Sequence, residues 1–138
     1  MKKIIGFTAG AFDMFHVGHL NLIKNAKARC DYLIVGVNTD ELISSYKNKK
    51  VVVPLEERLQ IVESIKYVDE VIAVDTLDKE IMWNRKKFDY LFIGDDWKGS
   101  ERWNATEEVM KEHDVEVVYL PYTRGTTSTL LREKLNEL

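Results

Sequence analysis

The sequence predicts an α/β domain built on one doubly wound parallel sheet of five strands. Three observations carry this prediction. Short, nearly continuous apolar runs recur along the 138-residue chain, as in strands covered on both faces. Segments with apolar residues at helical spacing separate the runs. No hairpin signal joins one run to the next, so the connections read as right-handed crossovers.

Each element follows from its own residues. Lys3-Ile4-Ile5-Gly6-Phe7-Thr8 reads as the first buried strand, after which Gly10 is expected to let the chain turn tightly. A helix is expected over His19–Arg29, with Leu20, Ile23 and Ala26 on its apolar face. Tyr32–Val37 forms the second strand. Beyond Asn38 the pattern weakens through Ser44, Ser45 and Lys47-Asn48-Lys49-Lys50, which reads as a loop. Pro54 opens a helix carrying Leu55, Leu59, Val62 and Ile65. Glu70–Val74 is the third strand, and a helix around Asp78–Lys87 leads to the fourth, Tyr90–Gly94. A helix near Thr106–His113 precedes the fifth strand, Glu116–Leu120. Pro121 ends that strand, and Thr127–Leu138 is the closing helix.

One domain, residues 1–138, accounts for the length, with no linker, internal repeat or low-complexity tract. A 45% hydrophobic and 31% charged composition suits a soluble globular domain. The net charge of −3 speaks against a general nucleic-acid coat, although a local basic patch can still bind phosphate. Cys30 is the only cysteine, which excludes an internal disulfide and a paired-cysteine zinc site and fits a cytoplasmic setting. It reads as a small buried residue near the end of the first helix. Neither a signal peptide nor an apolar stretch of about 20 residues is expected.

Sheets of this kind bind ligands beyond the carboxyl ends of their strands, and four polar clusters stand there. In the first, Gly10-Ala11-Phe12-Asp13 is followed by His16-Val17-Gly18-His19 at a helix start. Free N–H groups and two imidazoles three residues apart suit a phosphate, and Gly18 leaves room for a bulky ligand. A capped helix with partly exposed histidines is the plainer reading. A zinc pair lacks a third ligand and the zincin glutamate. The second cluster, Lys47-Asn48-Lys49-Lys50, is either a solvated loop or a phosphate grip. The third, Gly94-Asp95-Asp96-Trp97-Lys98-Gly99-Ser100, has the outline of a P-loop but no lysine before Ser100, so a Walker motif is rejected; Asp95 and Asp96 could simply cap the next element. The fourth, Tyr122-Thr123-Arg124-Gly125-Thr126-Thr127-Ser128-Thr129, gathers hydroxyls and an arginine where a helix begins, as caps or as an anion site.

Together, Gly10-Ala11-Phe12-Asp13, His16-Val17-Gly18-His19, Lys66-Tyr67-Val68-Asp69-Glu70-Val71, Gly94-Asp95-Asp96-Trp97 and the segment from Val117 to Thr129 resemble the HxGH nucleotidyltransferase superfamily. Within it they are most similar to the bacterial glycerol-3-phosphate cytidylyltransferases. The resemblance implies a Rossmann-like sheet (the HUP-type nucleotidyltransferase fold). It also implies transfer of CMP from CTP to a small phosphorylated alcohol, with pyrophosphate released and a CDP-alcohol formed, a cell-envelope precursor. It implies catalytic roles for His16, His19, Lys49 and Arg124. Nucleotide binding falls to Gly10, Ala11, Phe12, Asp13, His16, Gly18, His19, Lys49, Asp96, Arg124, Thr127, Ser128 and Thr129. Lys47 and Lys79 would bind the acceptor. Asp96 would accept from a nucleobase amino group, with Trp97 packed nearby. Mg²⁺ would share the triphosphate charge, Asp13 would orient the site or engage that metal, and a homodimer without nucleic-acid or membrane partners is implied.

Three positions depart from that family's pattern. Tyr122 stands where arginine is usual, Arg124 where an acidic residue is usual, and Lys66 where arginine precedes Tyr67. Ser128-Thr129-Leu130-Leu131-Arg132 also resembles the ending of adenylyltransferases, so ATP with a phosphorylated cofactor precursor or sugar stays as an alternative. A nucleotide-binding module without catalysis is a further one.

Overall fold

A computed structural model describes residues 2–47, 50–123 and 127–138. Five strands, β1 (Ile5–Gly10), β2 (Tyr32–Asn38), β3 (Glu70–Val74), β4 (Tyr90–Gly94) and β5 (Glu116–Leu120), form a single sheet in the order β3-β2-β1-β4-β5. Every neighbouring pair is parallel. The helices are α1 (Val17–Lys27), α2 (Asp40–Tyr46), α3 (Leu55–Glu63), α4 (Lys79–Arg85), α5 (Glu101–Glu112) and α6 (Ser128–Asn136). The doubly wound prediction therefore holds.

Alternation along the strands divides the core between the two faces. Leu33, Val35 and Val37 of β2 point toward Ile23 and Ala26 of α1 and Val62 of α3. Ile34 points the other way, into a layer with Phe7, Met82 of α4 and Trp103 and Met110 of α5. Phe7 stacks on Phe88 across that second layer, ring centroids 4.9 Å apart.

The pairings are unequal in length. β1 and β2 align from Ile5↔Tyr32 to Gly10↔Val37, whereas β1 meets β4 only at Gly6↔Tyr90 and Phe7↔Leu91. Beyond Phe7, the Thr8 hydroxyl donates to the Phe92 carbonyl at 3.0 Å, and the strands part. This is also where strand order reverses, so a crevice opens at the switch point.

Three elements differ from expectation. Residues 40–46, expected as loop, are α2: Thr39 caps it by accepting from the Leu42 N–H at 3.1 Å, and its single buried residue, Ile43, gives too little periodicity to read. α5 starts at Glu101 rather than near Thr106, because Ser100 caps it and Trp103 is buried in its first turn. α1 begins two residues early and ends at Lys27, before Cys30. That thiol is half-buried, sits 3.4 Å from the Ala26 carbonyl, and is pushed above its ordinary pKa by burial.

Candidate active site

The crevice is a cavity of about 330 Å³ over the carboxyl ends of β1, β4 and β5. Its lining includes Gly10, Ala11, Phe12, Asp13, His16, Gly18, His19, Lys47, Asp96, Trp97, Thr127, Ser128 and Thr129, so segments far apart in sequence meet at one place. Lys49 and Arg124, both expected as catalytic, lie outside the described residues.

The approach to the histidines differs from expectation at Gly10. That residue is the last of β1 and has no positive φ; the left-handed conformations belong to Phe12 (φ 52°) and Met14 (φ 50°). The Phe12 ring lies beside Gly10 and is itself buried in the core, which fixes the loop despite the unfavourable backbone region.

His16 is the N-cap of α1 and His19 its third residue. The His16 Nδ1 accepts from the Gly18 N–H at 3.0 Å, and the His19 Nδ1 accepts from the His16 N–H at 3.2 Å. With both Nδ1 atoms accepting, each neutral ring carries its proton on Nε2. The rings stack with centroids 3.8 Å apart. Burial lowers the pKa of His16. His19 is lowered to about 3, chiefly by burial and then by His16 and Lys47, against an opposing pull from Asp13. The histidines thus cap the helix through one nitrogen and keep the other as a donor.

Asp13 is buried and committed to the framework. Its Oδ1 accepts from the Val53 N–H at 2.8 Å, and its Oδ2 from the Val52 N–H at 2.9 Å and from the Arg132 guanidinium. Its carbonyl accepts from the Ser128 hydroxyl at 2.7 Å. Thr127 caps α6, its Oγ1 accepting from the Leu130 N–H at 3.0 Å. The Thr127 and Ser128 hydroxyls thus serve structure, while the first-turn N–H groups of Ser128 and Thr129 remain donors of the kind that bind anions at helix starts.

Opposite them, Asp95 and Asp96 have separate tasks. Asp95 Oδ1 accepts from the Tyr122 N–H at 3.1 Å, tying the end of β4 to the segment after β5. Asp96 faces the cavity, and burial with Asp95 nearby raises its pKa. Gly94 makes room for it: a Cβ there would lie 2.5 Å from Asp96 Oδ1. Trp97 and Tyr122, both exposed, complete this side.

Lys79 is not brought to this cavity. It begins α4 beside Leu77, Asp78 and Thr106 in a separate hollow, its ammonium 3.4 Å from the Leu77 carbonyl and 5.8 Å from the Trp103 ring centre. Burial, and next Arg102, lower its pKa to about 8. The acceptor role expected for it has no support from its position.

Sequence reasoning missed Arg58, a buried cation on the apolar side of α3. It donates to the carbonyls of Val53 (2.8 Å), Ala11 (2.7 Å) and Asn38 (2.7 Å), and pairs with Asp40. An arginine standing one position before Leu59 in an otherwise apolar stripe was the available signal.

The cytidylyltransferase-like family model matches residues 7–134. A glycerol-3-phosphate cytidylyltransferase of Bacillus subtilis strain 168 is 39% identical over 98% of this chain and 98% of its own length. An FAD synthase of Thermococcus kodakarensis is 34% identical over 95% of this chain and 91% of its own. Among solved structures, a lipopolysaccharide core biosynthesis protein from Thermoplasma volcanium superposes with a TM-score of 0.75, covering 91% of this chain and all of that one; at 23% identity it speaks for the fold. With the matched family model spanning the crevice, its histidine pair and both flanking helix starts, this chain belongs to the cytidylyltransferase-like family.

Proposed function

We propose that the chain transfers CMP from CTP to glycerol 3-phosphate, releasing pyrophosphate and forming CDP-glycerol. The observation that carries this reading is the stacked pair of Nε2–H imidazoles at the switch-point cavity, within a chain resembling glycerol-3-phosphate cytidylyltransferases over its whole length. A phosphate oxygen of the acceptor attacks the α-phosphorus of CTP, and the bond to the bridging oxygen of the β-phosphate breaks as pyrophosphate leaves. No covalent enzyme intermediate is needed. Catalysis of this type rests on alignment and charge neutralisation. His16 and His19 donate to the α-phosphate oxygens, aided by the N–H groups at the start of α6. Lys49 and Arg124 are assigned to the β- and γ-phosphates, Lys47 to the acceptor phosphate, and Asp96 to the cytosine amino group.

Among the described residues no group of three or more His, Cys, Asp or Glu side chains is placed to hold a metal, and Asp13 is spent on Val52, Val53 and Arg132. The described side chains thus offer no cage for a resident Mg²⁺. The ion belongs to the substrate as Mg·CTP, held by the phosphates. A cytoplasmic homodimer without nucleic-acid or membrane partners is part of the same proposal; no described helix is long and apolar enough to cross a membrane.

Pyrophosphate release measured with CTP or ATP, with and without glycerol 3-phosphate, tests the reading; turnover that depends on both CTP and glycerol 3-phosphate is expected. One observation favours a second reading: Arg132 of the Ser-Thr-x-x-Arg ending lines the cavity, and the chain resembles an FAD synthase along most of its length. Turnover with ATP alone would select adenylyl transfer and discard CTP.

A further inference from the structure

The last helix presents a contradiction. Thr127, Ser128 and Thr129 line the cavity from its start, yet α6 has no buried residue with which to hold that position. In the other long helices, buried apolar side chains do this work: Ile23 and Ala26 in α1, Val62 in α3, Trp103 and Met110 in α5. Helices in proteins owe most of their stability to such packing; with only Leu130 and Leu131 half-buried among its apolar residues, α6 has a weak apolar hold and draws on another anchor.

Among the described residues, the polar contacts that tie α6 to the rest of the fold converge on a single residue. Arg132 pairs with the Asp13 carboxylate, and one turn earlier the Ser128 hydroxyl donates to the Asp13 carbonyl at 2.7 Å. Ser128 and Arg132 are four apart, so both lie on one stripe of α6. The pair is shielded, with 20% of the Arg132 side chain and 5% of that of Asp13 exposed. The same carboxylate also holds the Val52 and Val53 N–H groups. One aspartate therefore sets the loop before the histidines, the 52–53 segment and α6 together.

We infer that Arg132 is a positioning residue whose ion pair with Asp13 seats the first turn of α6, and so its phosphate-facing N–H groups, against the cavity. The inference rests on the reading of the cavity as a CTP site. Arg132 lines the cavity as well, but its guanidinium is engaged by the Asp13 carboxylate, so its role in the proposal runs through Asp13 and α6.

The test compares Arg132→Gln, Arg132→Lys, Asp13→Asn and the Asp13→Asn/Arg132→Gln double variant. Two readouts are used: amide hydrogen exchange across residues 128–136 without nucleotide, and steady-state kcat and KM for CTP. If loss of the pair leaves α6 seated about a tenth of the time, apparent affinity falls about tenfold. Arg132→Gln should therefore raise KM for CTP about tenfold, with kcat nearly unchanged, and speed exchange in α6. Arg132→Lys should restore much of both, and the double variant should be no worse than the worse single one. A raised KM with α6 exchange unchanged would make Arg132 a direct phosphate contact and overturn the inference; so would an Arg132→Gln protein with both readouts unchanged. Exchange is read without CTP, so a protein inactive with CTP would refute the proposed function while leaving the seating of α6 measurable.

Discussion

His16 and His19 hold each other in register: the backbone N–H of His16 donates to His19 Nδ1 at 3.2 Å, while His16 Nδ1 accepts from Gly18. This reciprocal cap determines which nitrogen of each ring can serve chemistry. Both Nε2 atoms are left as donors, as stabilisation of a charged α-phosphate requires. Replacing either histidine by alanine should lower kcat about 10²- to 10³-fold, the scale seen when one donor to a developing oxyanion is lost. Steady-state rates for His16→Ala and His19→Ala check this, and near wild-type rates would remove the histidines from the mechanism.

The same burial gives stability a pH dependence. His19 in the folded protein is lowered to about 3 from its ordinary 6.5, and His16 is lowered as well. The unfolded chain takes up these protons first. Their contribution is therefore complete above about pH 6.5 and is lost as pH falls toward 3. Melting temperatures measured between pH 7.5 and 4 should fall more steeply for the wild type than for His19→Gln.

Gly94 leaves the space that Asp96 fills. A methyl group placed there meets the Asp96 carboxylate at 2.5 Å and must turn it away. Losing a hydrogen bond to a charged group costs about 1.5–3 kcal/mol, so Gly94→Ala should lower kcat/KM for CTP about 10- to 100-fold and narrow the preference over ATP. Competition assays with both triphosphates measure this directly.

Arg58 is stability held in one side chain. Arg58→Met removes the donor to three carbonyls and leaves Asp40 unpaired. Asp40 is solvent-accessible, so the cost falls on the carbonyls, about 1–3 kcal/mol for each left buried without a donor. Arg58→Lys should recover little of this, since an ammonium cannot span the same fork. Urea unfolding of both variants supplies the comparison.

Lys79, at about 8, carries a substantial neutral fraction just above neutral pH, where a lysine at the ordinary 10.5 carries almost none. Labelling with an amine-selective acylating reagent, mapped by mass spectrometry, should rise at Lys79 between pH 7 and 9. A flat profile over that window would contradict its burial beside Arg102.

All five strands are legible because continuous apolarity marks a doubly covered strand without reference to the rest of the fold. The carboxyl-end rule then locates the histidine cluster, Asp96 and Thr127–Thr129. What escapes the sequence is work done through long-range polar contacts. Asp13 resembles a metal contact or orienting group until Val52, Val53 and Arg132 are placed around it. Arg58 does not show its role until three carbonyls converge on it. Lys79 shares its residue type with a phosphate ligand, but it opens a helix capped by Asp78 and its ammonium lies by Leu77 and Trp103. α2 is too short and polar to show a period.

The two-position pairing of β1 with β4 has a mechanical consequence. The sheet is nearly two ribbons, β3-β2-β1 and β4-β5, joined by Gly6↔Tyr90, Phe7↔Leu91, the Thr8 hydroxyl and two hydrogen bonds between Ile5 and Asp89 just before β4. The cavity lies across that seam, with the histidines on one ribbon and Asp96 and Tyr122 on the other. A bound nucleotide is therefore a cross-brace as well as a substrate. Force applied across the seam should split the empty protein there first, and occupancy should move the point of failure elsewhere.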